Sequence, residues 1–184
     1  ALLGFLVVAG FVAAVVMPVA DKAVREVTLP LRHEDIIRQQ ARDKDLDASL
    51  IAAVIYAESH FRDQTSQAGA KGLMQLMPST ADYIAQKSGG IAFEQGDLAT
   101  PQVNISYGSW YLRYLLQHYH GNELLALAAY NAGEGKVDEW ITAAGGLDGF
   151  GAGDIRFPET REYVDGVLDH REDYREYYDD ELGY

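Results

Sequence analysis

With 184 residues and 48% hydrophobic content, the chain has enough material for one domain with an adequate core plus a short appendage. Its 28 acidic residues against 15 Lys and Arg leave a formal net charge of −13, which excludes nucleic acid as a partner because phosphate binding requires clustered base. The absence of cysteine removes disulfides, thiol nucleophiles and Cys-based zinc sites.

Residues 2–20, LLGFLVVAGFVAAVVMPVA, form an uncharged run of 19 residues, which at about 1.5 Å per residue approaches the thickness of a hydrocarbon core. We read residues 1–20 as a membrane-anchor helix. A cleavable signal peptide competes, although its apolar region would be long and Pro18-Val19-Ala20 is a poor cleavage pattern; a buried soluble helix is the third reading. Residues 21–30 read as a linker closed by Pro30, and residues 31–184 as the folded domain.

Within that domain, residues 31–44 have the mixed pattern of a surface helix. Asp47 is the expected N-cap of the next helix, whose opening stretch Leu50-Ile51-Ala52-Ala53-Val54-Ile55-Tyr56-Ala57 is apolar on every side and so belongs in the middle of the domain. At its far end stands Glu58. Low-dielectric surroundings and the negative end of the helix both favour the protonated carboxyl, which would make it a general acid near neutral pH. The plainer alternative is a Glu that reaches solvent or pairs with Arg62 or Lys71.

The polar, glycine-containing residues 62–72 predict a loop or a small hairpin. Pro78 opens a helix over 78–87 that Gly89-Gly90 ends, and 88–95 is a loop. Thr100-Pro101 starts another helix, with Ile105, Tyr107, Trp110, Tyr111, Tyr114, Leu115 and Tyr119 read as core in preference to a sugar-stacking stripe. Asn122 caps a helix over 123–131 with Gly133 at its end, and 135–144 is a short helix with Trp140 facing inward. Five glycines mark 145–157 as a mobile loop. Pro158 opens the last helix, which groups Tyr163, Val167, Tyr174 and Tyr178 near one face; from residue 159 onward ten Asp or Glu stand against three Arg. Strand signals are almost absent.

Four separate stretches occur in a telling order: Glu58-Ser59-His60-Phe61; Ser66-Gln67-Ala68-Gly69-Ala70-Lys71-Gly72-Leu73-Met74-Gln75-Leu76-Met77-Pro78-Ser79-Thr80-Ala81; Ala129-Tyr130-Asn131-Ala132-Gly133; and Pro158-Glu159-Thr160-Arg161-Glu162-Tyr163-Val164. Over residues 31–170 this resembles the catalytic domain of the soluble lytic transglycosylase family, lysozyme-like enzymes that cleave peptidoglycan. The resemblance implies a mainly α, lysozyme-like helical domain with at most a small β-hairpin. It also implies that Glu58 acts first as acid and then as base on the bond between N-acetylmuramic acid and N-acetylglucosamine, leaving 1,6-anhydromuramic ends. Substrate-binding roles would fall to Ser66 at the N-acetyl group, Gln75 on a sugar, Tyr130 and Asn131 along the groove, and Tyr163 beside Glu58. Ser59 would support the helix end. The implied partner is the peptidoglycan strand, with no cofactor and no metal expected, and the uncharged run of residues 2–20 would hold the domain at the outer face of a bacterial cytoplasmic membrane.

The residues agree with a single-acid chemistry. Glycoside hydrolysis commonly employs a second carboxylate, and none occurs in residues 64–81; Asp63 and Asp82 flank the gap and read as solvated surface groups. The five histidines include no HExxH pair, and no GxSxG elbow is present, which argues against a metal site and a serine hydrolase. Two alternatives stay open: a hydrolase of the goose-type lysozyme kind, and a non-catalytic wall-binding module that keeps the fold.

Overall fold

The computed structural model describes residues 17–89 and 93–184. Most of the expected anchor, residues 1–16, lies outside the described residues. The chain divides into two compact units, residues 1–32 and 33–184. In the first, Met17–Thr28 is a helix, α1, with Arg25 in its last turn, so the segment expected to be a linker is helical as far as Thr28. Ala, Lys, Arg and Glu favour that state until Pro30, which disfavours helix in the residue before it. Among the described residues no helix is long and apolar enough to cross a membrane.

The second unit is almost wholly helical and has the lysozyme-like fold expected. Its helices are α2 Glu34–Lys44, α3 Ala48–Ser59, α4 Pro78–Ser88, α5 Pro101–His118, α6 Glu123–Ala132, α7 Glu134–Ala144, α8 Pro158–Tyr177 and the single turn α9 Asp179–Leu182. Proline occupies the first turn of α4, α5 and α8, where its missing N–H costs nothing.

α3 is the axis of this unit. Ala48 through Ile55 and Ser59 are buried, and the helix lies along α8, which turns Thr160, Val164, Val167 and Tyr174 inward. The expected N-cap is present: one Asp47 carboxylate oxygen accepts the N–H groups of Ser49 at 2.8 Å and Leu50 at 3.4 Å. Asp47 also takes the Tyr184 hydroxyl and the Arg175 guanidinium. Burial pushes its carboxyl up, but the hydrogen bonds from Ser49 and Tyr184 and the Arg175 charge outweigh that, and the pKa lies below the ordinary value. The N-terminal end of α3 is thereby tied to the C-terminal end of α8. Tyr178, expected on the α8 face, is buried just beyond the end of that helix.

Two loop expectations change in detail. Residues 62–77 contain only isolated antiparallel bridges, Thr65 with Lys71 and Lys71 with Leu76, because tight turns return the chain before a ladder can extend. Residues 145–157 hold two single-turn 3-10 helices, Leu147–Gly149 and Ala152–Asp154, and are tied down locally: Asp154 accepts from Gly151 N–H at 2.9 Å, Ile155 is fully buried, and Arg161 donates to its carbonyl at 2.9 Å.

Candidate active site

Glu58 is the penultimate residue of α3. Two consecutive left-handed residues, His60 at φ 51° and Phe61 at φ 58°, turn the chain away immediately after the helix, and Phe61 is itself buried. The carboxyl therefore stands at the end of the apolar rod, largely enclosed but not sealed from solvent. Burial raises its pKa from an ordinary 4.5 to about 7, opposed by the Tyr163 hydroxyl. Among the described residues it has no ion pair, so neither Arg62 nor Lys71 neutralises it. Burial is the largest cause of the shift.

Tyr163 reaches this carboxyl from α8. Its hydroxyl is buried and makes no hydrogen bond of normal geometry, yet it stands near enough to Glu58 to draw that group's pKa down. Burial and the Glu58 charge push the phenol itself well above its ordinary range, so it stays protonated and can only donate to an anionic neighbour. Catalytic hydrogen bonds are commonly loose before substrate arrives. We expect Tyr163→Phe to lower kcat about tenfold while leaving the thermal midpoint unchanged or slightly raised, since a buried hydroxyl without a partner is lost. With its opposing influence gone, Glu58 should titrate higher, and a pH–rate profile should show the alkaline limb displaced upward.

Tyr130, on α6, feels the Glu58 charge too, after burial the largest influence on a pKa held well above 10.0. Its hydroxyl donates to the Met74 carbonyl at 3.0 Å, so the phenol positions the loop, while its ring packs at 5.6 Å on Tyr111. Asn131, next along, is exposed; its Oδ1 accepts from the buried Thr160 hydroxyl at 2.7 Å, which joins α6 to α8 and leaves the Asn131 amide N–H groups outward. Ser59 does support the helix end, donating to Ile55 and Leu73 carbonyls at 3.1 and 2.7 Å.

The loop from Ser66 to Gln75 is joined to this group through the Tyr130 bond to the Met74 carbonyl. Ser66 Oγ accepts from Ala70 N–H at 3.0 Å, closing a turn with its own hydrogen still to give. Gln75 adopts φ 46° and spends its amide nitrogen on the Gly72 and Gln64 carbonyls at 2.7 and 3.1 Å, which leaves its side-chain oxygen as an acceptor. Thus Glu58, Tyr130 and Tyr163 meet around one carboxyl, while Ser66, Gln75 and Asn131 are held by bonds of their own. Asp63 and Asp82 are both exposed, as expected.

The residue that sequence reasoning missed is Asn104. Fully buried on α5, it accepts from Met74 N–H at 2.8 Å and donates to the Lys71 and Leu98 carbonyls at 2.9 and 3.0 Å. Two glycines make room for this clip: a Cβ on Gly72 would fall 2.1 Å from Asn104 Nδ2, and one on Gly108 would fall 2.3 Å from Met74 Sδ. The available signal was a lone Asn between otherwise buried helical positions, which no local rule separates from a surface Asn.

Residues 35–150 match the family model described as "Transglycosylase SLT domain", a span that holds Glu58, Ser66, Gln75, Tyr130 and Asn131 and stops short of Tyr163. The chain belongs to the SLT transglycosylase family. The soluble lytic murein transglycosylases of Salmonella typhimurium and Escherichia coli K12 are 36% and 35% identical to it over 156 and 154 residues, covering 83% and 82% of this chain but 24% of each relative. Among solved structures, an inactive mutant of the Pseudomonas aeruginosa lytic transglycosylase Slt is similar with TM-score 0.75 and 36% identity. The 70 kDa soluble lytic transglycosylase SLT70 of Escherichia coli has TM-score 0.76 and 34% identity. Each match covers 83% of this chain and 25% of the other. The chain thus spans about a quarter of the length of these SLT relatives.

Proposed function

We propose that this SLT domain is a lytic transglycosylase that cleaves the β-1,4 bond between N-acetylmuramic acid and N-acetylglucosamine in peptidoglycan. One observation carries the reading: Glu58, at a pKa of about 7, is governed only by burial and the Tyr163 hydroxyl, and no second carboxylate's charge bears on it. A carboxylic acid so poised donates its proton to the departing glycosidic oxygen. As carboxylate it then takes the proton from the 6-hydroxyl of the same muramic residue as that oxygen bonds to C1. An internal hydroxyl already in place acts at very high effective molarity, which offsets the absence of a base to activate water. Family membership supports this route over hydrolysis, as does the solved Pseudomonas relative, an inactive mutant in which one glutamate is replaced by glutamine.

In this reading Tyr163 orients and discharges the acid, Ser66 gives its hydrogen to the substrate N-acetyl group, and Gln75 accepts from a sugar hydroxyl. Tyr130 offers its ring and Asn131 its amide to the strand. Digestion of purified peptidoglycan followed by mass analysis tests the reaction: the ends released should be 1,6-anhydromuramic, lighter than hydrolytic ends by one water and inert to borohydride. Mostly reducible ends would make water the acceptor and the enzyme a muramidase.

We further place the domain outside the cytoplasm, held at the outer face of the bacterial cytoplasmic membrane by residues 2–20. The support is the uncharged run itself, together with the −13 net charge, which gives the domain no attraction of its own for an anionic wall. Fractionation of cells expressing the gene should leave the protein in the membrane pellet; recovery in the soluble fraction with a new N-terminus near Asp21 would overturn the anchor.

A further inference from the structure

A cleft of about 400 Å³ opens between α4, α5 and α7. α4 brings Ser79, Thr80 and Tyr83, α5 brings Tyr111 and Tyr114, and α7 brings Glu134 at its first position. The two Glu134 oxygens are held separately, Oε2 accepting from Tyr114 at 3.0 Å and Oε1 from Tyr111 at 3.4 Å. A carboxylate has about four acceptor directions, so roughly two remain open. Tyr114 is braced in turn by Trp110, stacked at 5.7 Å, and by Tyr83, edge-on at 5.8 Å. Carboxylate and rings are therefore fixed in place before any ligand arrives.

The cleft lacks a cation of its own. No Lys, Arg or His lines it, and among the described residues Glu134 has no ion pair. Lys87, which does not line it, lies 5.7 Å from the centre of the Tyr83 ring, an intramolecular instance of the ammonium-on-tyrosine contact this wall offers. A glutamate at the start of a helix suits the helix dipole. That role alone requires neither two phenol donors nor an aromatic cavity. The cleft also adjoins the acid: the Tyr111 ring packs at 5.6 Å against Tyr130, which feels the Glu58 charge.

We propose that this cleft is a binding site for a primary ammonium group carried by the polymer that the enzyme cleaves, with Glu134 taking the charge and the tyrosine rings walling it. The naming of the polymer rests on the function proposed above; the binding does not require turnover. In peptidoglycan such a group has two sources, an amino sugar without its acetyl group and the side chain of a diamino acid in the stem peptide. Ser79 and Thr80 add hydroxyls suited to either.

Calorimetric titration of the full chain with three probes tests this: a glucosamine tetramer, the N-acetylglucosamine tetramer, and a stem tetrapeptide with a free side-chain amine, each amine probe also in its N-acetylated form. At least one amine probe should bind tenfold or more tightly than its acetylated form, and whichever does so identifies the source. Glu134→Gln should abolish that margin without altering affinity for the N-acetylglucosamine tetramer. No margin in the parent protein, or a margin that survives Glu134→Gln, would overturn the proposal. Lytic turnover is read separately, so an ammonium margin without anhydro products would retain this site and discard the activity, and the converse result would do the opposite.

Discussion

Glu58→Gln is expected to reduce release of anhydromuramic ends by at least about a thousandfold, the upper part of what a positioned general acid contributes, because glutamine keeps the shape but has no proton to give. The same variant should be more stable than the parent in alkaline solution. The folded Glu58 holds its proton up to about pH 7, whereas the unfolded one releases it near 4.5. Between those values the native state binds more protons, so stability falls as pH rises through the window, by about 1–3 kcal/mol once the carboxyl's path to solvent is allowed for. Glutamine never ionises and escapes that loss. Denaturation curves of parent and variant should therefore coincide below pH 4.5 and separate by pH 8, with the variant higher. Retention of substantial turnover, or curves that stay superimposed at pH 8, would remove Glu58 from its role as a buried acid. Its activity consequence is that turnover declines as pH rises through about 7 and the donor proton is lost.

Gly72→Ala should be the most damaging single methyl in the domain. The residue sits at φ 76°, and a Cβ there would fall 2.1 Å from Asn104 Nδ2 and 2.6 Å from the Leu98 carbonyl oxygen. The side chain cannot swing aside without releasing its bonds to Met74, Lys71 and Leu98, and the carbonyl belongs to the main chain. Left-handed strain and a lost buried network together cost about 3 kcal/mol or more, roughly 6–12 °C in thermal midpoint for a domain of this size. Gly69→Ala is the control, with a similar φ of 90° and nothing within 4 Å, so it should show the strain alone. Equal losses in the two variants would mean that the Asn104 clip contributes nothing.

What could be read in the sequence was what neighbours along the chain decide. Asp47 caps α3 because Ser49 and Leu50 follow it, Pro78, Pro101 and Pro158 open their helices through their own geometry, and an apolar run without a polar face could only be buried, which placed Glu58. Motif order then suggested its companions, and Tyr130 and Tyr163 do converge on it. What escaped was decided across distance. The aromatic stripe of α5 and its C-terminal end reads as core, and Tyr111 and Tyr119 are buried, but Trp110 and Tyr114 are only partly buried, with Tyr114 lining the cleft beside Glu134; periodicity marks a face without saying how much of it a neighbour covers. Residues 21–28 read as a linker because a short polar segment carries no burial signal even when its propensities favour helix. Asn104 and Glu134 carry no local signal because, Leu98 apart, their partners lie 20 to 33 residues away.

The Asn104 clip has a consequence for the order in which the domain assembles. The turn carrying Met74 and Gln75 has isolated bridges in place of a ladder, and one of its amides is satisfied only by a side chain thirty positions away on α5. Such a turn gains little by forming early, since closing the intervening chain costs entropy that only the docked helix repays. The turn is thus expected to form late in helix assembly and to open with it, as part of one cooperative unit. The Met74 amide should exchange its hydrogen for deuterium at the rate of the α5 core, while the Gly69 amide a few residues earlier, bonded only across a local turn, exchanges through small fluctuations. The surface proposed to meet a stiff polymer is in this way given the rigidity of the interior.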